Sequence, residues 1–247
     1  MTAMSTITEI APDVFRISTY AADAGLQFGQ FLIRDDEPLL FHTGPRFLFP
    51  AVRDAVAKLV DPHSLRWIGF SHFEADESGT LAEWLALAPQ SQAVCSFVAA
   101  VVNVNDAVDR PARPLADDEV LVTGRHRLRF LQTPHVPHCW DAGLLFDETT
   151  KTLFCSDILT QYGDVVPTAD AATVVERHRA SLASMEAGPL ASYMTYTPRT
   201  TAVMRRLAAL APRTLATMHG SVLVGDGAAA LGEADTIMRE AFAGEPR

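Results

Sequence analysis

The stretch Ser71-His72-Phe73-Glu74-Ala75-Asp76-Glu77-Ser78-Gly79 crowds an imidazole and three carboxylates into six positions, directly after the apolar run Trp67-Ile68-Gly69-Phe70. An apolar run bounded by polar residues reads as a buried strand, here over 66–71. Ser78 then reads as the N-cap of a helix that carries Leu81, Trp84 and Leu85 on one face. The ionisable cluster therefore falls in a strand-to-helix turn, with His72, Glu74 and Asp76 at i, i+2 and i+4.

Outward from this turn, short β-type runs dominate the first part of the chain: 14–18, 30–33 and 39–42, with Arg34-Asp35-Asp36-Glu37-Pro38 as a polar hairpin turn. Val52, Val56 and Leu59 recur at helical spacing over 50–60. Residues 104–118, rich in Asp, Pro and Arg, read as a loop. Two hairpin-like pairs follow, 119–131 around Thr123-Gly124 and 143–155 around Asp147-Glu148-Thr149-Thr150. Helices are expected at 170–185, 197–210 and 228–243, with a strand at 214–218. Strand-rich blocks each closed by helices predict an α/β architecture, two sheets facing each other with helices outside.

The chain has 247 residues, 48% hydrophobic and 20% charged, enough to bury a substantial core as one domain over 1–247. Its net charge of −10, with no cluster of Lys and Arg, argues against nucleic-acid binding, which needs clustered cations. The start, Met1-Thr2-Ala3-Met4-Ser5-Thr6, shows neither a signal peptide nor an anchor. The most apolar stretch, 93–104, is too short to span a bilayer. Cys95, Cys139 and Cys155 are odd in number and irregular in spacing, which gives no disulfide framework and fits the cytoplasm.

The other strong ligand candidates also fall at ends of β runs: His135 and His138 in "TPHVPHCWD", Asp157 in "FCSDIL" and His219 in "TMHGS". Loops at strand ends converge on one rim of a sandwich, so residues distant in sequence can meet there. Imidazoles mixed with carboxylates suit iron, manganese or zinc, whereas copper(I) or an iron–sulfur cluster asks for more thiolate. Asp157 is the natural bridge between two cations.

The spacing His72-x-Glu74-x-Asp76, then 62 positions to His138, 19 to Asp157 and 62 to His219, resembles the metallo-β-lactamase fold as used by flavodiiron and oxygen-binding di-iron proteins. The resemblance implies a four-layer αββα sandwich. It also implies two iron ions, with zinc or manganese as alternatives: His72, Glu74 and His138 on one metal, Asp76 and His219 on the other, and Asp157 bridging. Most hydrolytic members have His where this chain has Glu74, so Glu74 points to the redox branch. The family usually has His directly after the motif Asp, and this chain has Glu77. If Glu77 ligates, the second iron gains negative charge and its potential falls; if it turns away, a position stays open. Taking His138 rather than His135 as the ligand keeps the 19-residue step. His135 then faces substrate or supports a ligand, and with Glu77 it forms the expected catalytic pair.

The implied function is binding or reduction of O2 or NO by a homodimer, with electrons from a separate reductase. The chain leaves no room for a flavodoxin domain, so no FMN is expected within it. Two rival readings stand beside it: a zinc hydrolase of an ester, lactone, thioester or phosphodiester, and a non-catalytic oxygen or redox sensor. Single histidines such as His42, His63, His126 and His178 read as surface or satisfied core residues, although His42 ends a strand on the same side. Cys139 and Cys155 flank ligand positions and read as packing. Tyr162 and Trp140 either line the pocket or pack.

Overall fold

The structure, a computed structural model, describes residues 4–242. Met1, Thr2 and Ala3, and Ala243 of the expected last helix, lie outside the described residues.

The first sheet contains β1 (Thr6–Ala11), β2 (Val14–Ala21), β3 (Leu26–Ile33), β4 (Leu39–Phe41), β5 (Trp67–Gly69), β6 (Gln92–Ser96) and β7 (Arg113–Leu115), side by side in that order. β1 to β4 pair antiparallel, as hairpin connections allow, and β4 to β7 pair parallel through helical crossovers. The second sheet is built from β8 (Val120–Val122), β9 (Arg127–Gln132), β10 (Gly143–Asp147), β11 (Thr152–Ser156), β12 (Thr168–Ala169), β13 (Thr214–Thr217) and β14 (Val222–Val224). Its order is β12-β14-β13-β11-β10-β9-β8, with β11 and β13 parallel.

Alternation along each strand decides the layers, because successive side chains point to opposite faces. Leu39 and Phe41 of β4 face Phe130, Leu145 and Phe154 of the second sheet, forming the core between the sheets. Leu40, between them, packs outward with Ile17 and Ile68 against Val52, Val56 and Trp84 of the helices Phe49–Val56 and Leu81–Leu87. On the far side Leu144, Phe146 and Leu153 meet Val174, Leu207 and Leu231 from the helices Ala171–Glu186, Thr200–Ala209 and Gly227–Phe242. The result is the expected αββα sandwich. No helix among the described residues is long and apolar enough to cross a membrane.

Some local expectations are corrected. Ser78 does not cap the helix that carries Trp84; it closes a short turn of helix, Ala75–Ser78, and its hydroxyl donates to the Glu74 carbonyl. The longer helix starts one turn later, after Thr80. The helix expected at 50–60 stops at Val56 and continues as a turn. Residues 104–118 are not all loop, since Arg113–Leu115 pairs with β6 as an added parallel strand. The apolar stretch at 93–104 divides into β6 and a helical segment that Ser96 caps, its hydroxyl accepting from Ala99 N.

The rim that matters is where β4, β5, β9, β11 and β13 end. His42, the 71–77 turn, the 133–142 loop, Asp157 and His219 follow those strands directly.

Candidate metal centre

The strand ends bring all six expected ligand residues together. His72 is fully buried, and its Nε2 lies 3.5 Å from Asp157 Oδ2, 3.6 Å from Glu77 Oε2 and 3.8 Å from Glu74 Oε2. His138 Nε2 lies 2.9 Å from Asp157 Oδ2, and its Nδ1 lies 3.6 Å from Glu74 Oε1. On the other side His219 Nε2 stands 3.1 Å from Asp76 Oδ2 and 3.3 Å from Asp157 Oδ1. Asp157 therefore shows one carboxylate oxygen to each half of the cluster.

Of the two residues expected to be catalytic, Glu77 points inward and His135 does not. Glu77 is fully buried against His72 and Asp157. His135 is exposed, and its backbone N–H donates to the Cys139 carbonyl. The loop thus turns His138 inward and His135 outward.

Sequence reasoning did not assign two further contacts. Tyr193 donates its hydroxyl to Glu74 Oε2 at 2.7 Å from 119 positions away. Cys139, read as packing, places Sγ 3.1 Å from His138 Nδ1 and 3.5 Å from Glu74 Oε1, within the group formed by His72, Glu74 and His138. "HCWD" put a thiol next to the ligand, but only the turn shows that it reaches Glu74. Tyr162 and Tyr193, with Leu26 and Phe28, line a cavity of about 230 Å³ that opens onto Asp76, Asp157 and His219. Trp140 is exposed and stands outside that lining.

The electrostatics are those of crowded, opposed charges. Burial pushes Glu77 well above the usual carboxylate range, and the negative charges of Asp157 and Asp76 add to the effect. Burial acts in the same sense on Asp157, but the hydrogen bond from His138 and the nearby charges of His219 and His72 overcome it and hold that carboxylate well below its ordinary value. His219 loses to burial and gains more from Asp157 and Asp76, which raise it to about 10. Burial, with the charges of Glu74 and Asp141, pushes the Cys139 thiol up to about 12, so it stays protonated.

Several of these atoms have no hydrogen-bond partner: His72 Nε2, both Glu77 oxygens and Asp157 Oδ1. A buried polar atom left unpaired costs on the order of 1–3 kcal/mol, more for a charged one. Four such atoms converging at one point fit a cation site. An imidazole and carboxylate set of this kind suits iron, manganese or zinc. The Nδ1 of His219 is already held at 2.8 Å by the Gln27 carbonyl, which leaves Nε2 as its donor atom toward the cluster.

Comparison with known proteins agrees with this architecture. A family profile described as ODP family beta lactamase matches residues 26–220, most of the chain. A protein described as diflavin flavoprotein A 1, from Nostoc sp. PCC 7120, is 27% identical over 203 residues, covering 81% of this chain and 34% of that protein. One described as diflavin flavoprotein A 2, from Synechocystis sp. PCC 6803, is 31% identical over 137 residues, 54% of this chain and 23% of its own. The chain thus spans about a third or less of these relatives' lengths. Among solved structures, a single-residue variant of the flavo di-iron protein of Thermotoga maritima superposes with a TM-score of 0.82 at 18% identity, covering 96% of this chain and 62% of that one. The rubredoxin oxygen:oxidoreductase of Desulfovibrio gigas gives 0.78 at 18% identity, covering 94% and 61%. At such identities the likeness shows the fold.

Proposed function

This chain belongs to the ODP family of metallo-β-lactamase fold, and from that premise we propose that it is a non-haem di-iron protein that binds or reduces O2 or NO. The observation that carries the reading is Glu74. A carboxylate stands between His72 and His138 in the position that a hydrolytic site gives to a neutral imidazole, and Glu77 adds a second one. Extra negative charge weakens a metal's power to acidify water and stabilises its higher oxidation states. The names of the relatives, diflavin and flavo di-iron proteins, support the same direction.

In this reading His72, Glu74 and His138 would hold one iron, Asp76 and His219 would hold the other, and Asp157 would be available to both. The iron pair, when bound, supplies electrons to the diatomic molecule. Tyr193 holds Glu74 in place through its hydroxyl and keeps its proton, because burial and the charges of Asp157 and Glu74 raise its pKa. The cavity lined by Leu26, Phe28 and Tyr162 has the size and apolar character to admit a small uncharged ligand while limiting water. A separate reductase supplies electrons, and the protein works as a cytoplasmic homodimer.

The test is anaerobic expression in iron-rich medium, metal analysis, and mixing of the reduced protein with O2 or NO. The reading expects about two irons per chain and iron-derived visible absorption. Reversible uptake would indicate storage or sensing, and sustained consumption with a reductant would indicate catalysis. Protein that carries zinc alone, with no such absorption, would overturn it.

A further inference from the structure

The turn that carries His219 is docked onto the first sheet through three consecutive residues. The Met218 carbonyl accepts from Gly29 N at 2.9 Å, His219 Nδ1 donates to the Gln27 carbonyl at 2.8 Å, and the Gly220 carbonyl accepts from Arg16 Nη2 at 2.6 Å. A Cβ on Gly29 would lie 2.8 Å from the Met218 oxygen, so glycine lets the two backbones approach this closely. Arg16 Nη2 also donates to Gln27 Oε1 at 2.9 Å, and Gln27 Nε2 donates to Asp164 Oδ1 and to the Val165 carbonyl, both at 2.8 Å. One guanidinium thus ties β2 and β3 to the His219 turn and, through Gln27, to the loop that follows Asp157.

We propose that Arg16 is a positioning residue for the cation held by Asp76 and His219, locking the His219 turn against β3 so that Nε2 keeps its aim at Asp76 and Asp157. Arg16 is 1% exposed, its Nε has no hydrogen-bond partner, and burial lowers its pKa to about 10 with no carboxylate acting against it. A buried charge without a counter-charge is costly, and packing alone would be served better by an apolar side chain. What an apolar side chain could not supply is a donor to both Gln27 and Gly220, and the rigid guanidinium bonds both from one nitrogen. Gln161 holds the same turn from the loop after β11: its N–H donates to the His219 carbonyl at 3.0 Å, and its side-chain amide pairs with the N–H and the carbonyl of Ser221. The two halves of the cluster differ in how much they need such support. His72, Glu74 and His138 make up one half, so displacement of one leaves two. Asp76 and His219 make up the other, where a single imidazole decides whether a cation is held. A support behind a metal-binding imidazole acts on the affinity of the metal it binds, and both hydrogen bonds of Arg16 lie on the His219 side. The presence of two cations rests on the di-iron reading, whereas the docking of the turn does not.

Cobalt(II) titration of the full chain, freed of metal with chelator and followed by visible absorption, reads the two halves as two steps. The wild type is expected to take up two cobalt ions. Arg16→Met should leave the first step unchanged and weaken the second about tenfold or more, and Arg16→Lys, which returns a cationic donor, should recover most of it. Amide hydrogen exchange of the metal-free protein reads the docking itself: the Gly29 and Ser221 N–H groups, which bond to Met218 and Gln161, should exchange faster in Arg16→Met while those of β10 and β11 stay protected. Equal weakening of both steps, no weakening, a loss that Lys does not relieve, or unchanged exchange at Gly29 and Ser221 would overturn the proposal. Should Arg16→Met fail to fold, Arg16→Gln, polar but too short to span Gln27 and Gly220, is judged by the same criteria. Selective loss of the second cobalt ion in a protein that binds no iron would support the role of Arg16 and overturn the di-iron reading, and a wild type that binds fewer than two cobalt ions would overturn both.

Discussion

Replacing Asp35 by Asn tests how the two sheets are held together at the rim opposite the site. Asp35 sits in the β3–β4 turn and reaches into the second sheet, where Oδ2 accepts from Thr123 Oγ1 at 2.9 Å and from His126 N at 2.8 Å. Its side chain is only 1% exposed. Burial alone would raise its pKa, but these hydrogen bonds, with those from the Arg125 and Asp36 amides, bring it down from 3.8 to about 2. A depressed carboxylate contributes stability above its unfolded pKa and loses it as pH falls through the folded value. At about 1.4 kcal/mol per unit, the shift from 3.8 to about 2 is worth roughly 2 kcal/mol at pH 7 and roughly 1 kcal/mol at pH 3. Asn keeps the shape and loses the charge, so the variant should be less stable by about 2 kcal/mol at pH 7, with the gap to wild type near half that at pH 3. Equilibrium urea unfolding of metal-free protein at pH 7, 4 and 3 measures the gap. A difference below about 0.5 kcal/mol at pH 7, or one that does not shrink toward pH 3, would refute the reasoning.

Gly124→Ala should act on the same clamp, since its Cβ would lie 2.5 Å from Asp35 Oδ1 at a φ of +140°; a loss of about 1–3 kcal/mol in the same unfolding assay is expected. Trp84→Ala removes a fully buried ring that packs edge-on against Phe49 at 5.3 Å, and should cost about 3–5 kcal/mol by thermal or urea unfolding while leaving iron stoichiometry unchanged. Glu77→Gln should stabilise the metal-free protein increasingly above pH 4.5. The raised pKa of Glu77 means that the folded state keeps a proton which the unfolded state releases, so wild-type stability falls with rising pH by up to about 1.4 kcal/mol per unit and the variant escapes that fall. Parallel stability–pH curves for the two would contradict this.

The site was more legible in the sequence than the sheets that carry it. His72, Glu74, Asp76, His138, Asp157 and His219 each lie beyond the end of a strand, and most of these strands are buried on both faces and read as short apolar runs that stop at polar residues. β1 escaped because its residues are mostly half-exposed at a sheet edge and carry little apolar signal. β6 was hidden for the opposite reason: it runs directly into a helical segment, with Ser96 serving as both last strand residue and cap, so no turn residue marks the join. The Ser78 cap misled because the motif itself takes a turn of helix before the true helix begins. Contacts such as Tyr193 to Glu74, or His42 to Ser71, depend on how distant elements dock, and no local pattern encodes them.

Glu77 decides the charge balance of the site. Glu74, Asp76, Glu77 and Asp157 place four carboxylates around three imidazoles in a largely buried space. Without cations such a group must either bind protons or repel itself. Burial and the neighbouring carboxylates push Glu77 toward its protonated form, and Asp157 and Asp76 outweigh burial to push His219 the same way. Two divalent cations would match four negative charges with all three imidazoles neutral, which is the state in which the unpartnered atoms of His72, Glu77 and Asp157 all gain a partner. With His in place of Glu77 the same cluster would carry one negative charge fewer, and a pair of divalent cations would leave it positive. The residue that departs from the family pattern would therefore leave the site neutral when two divalent cations are bound.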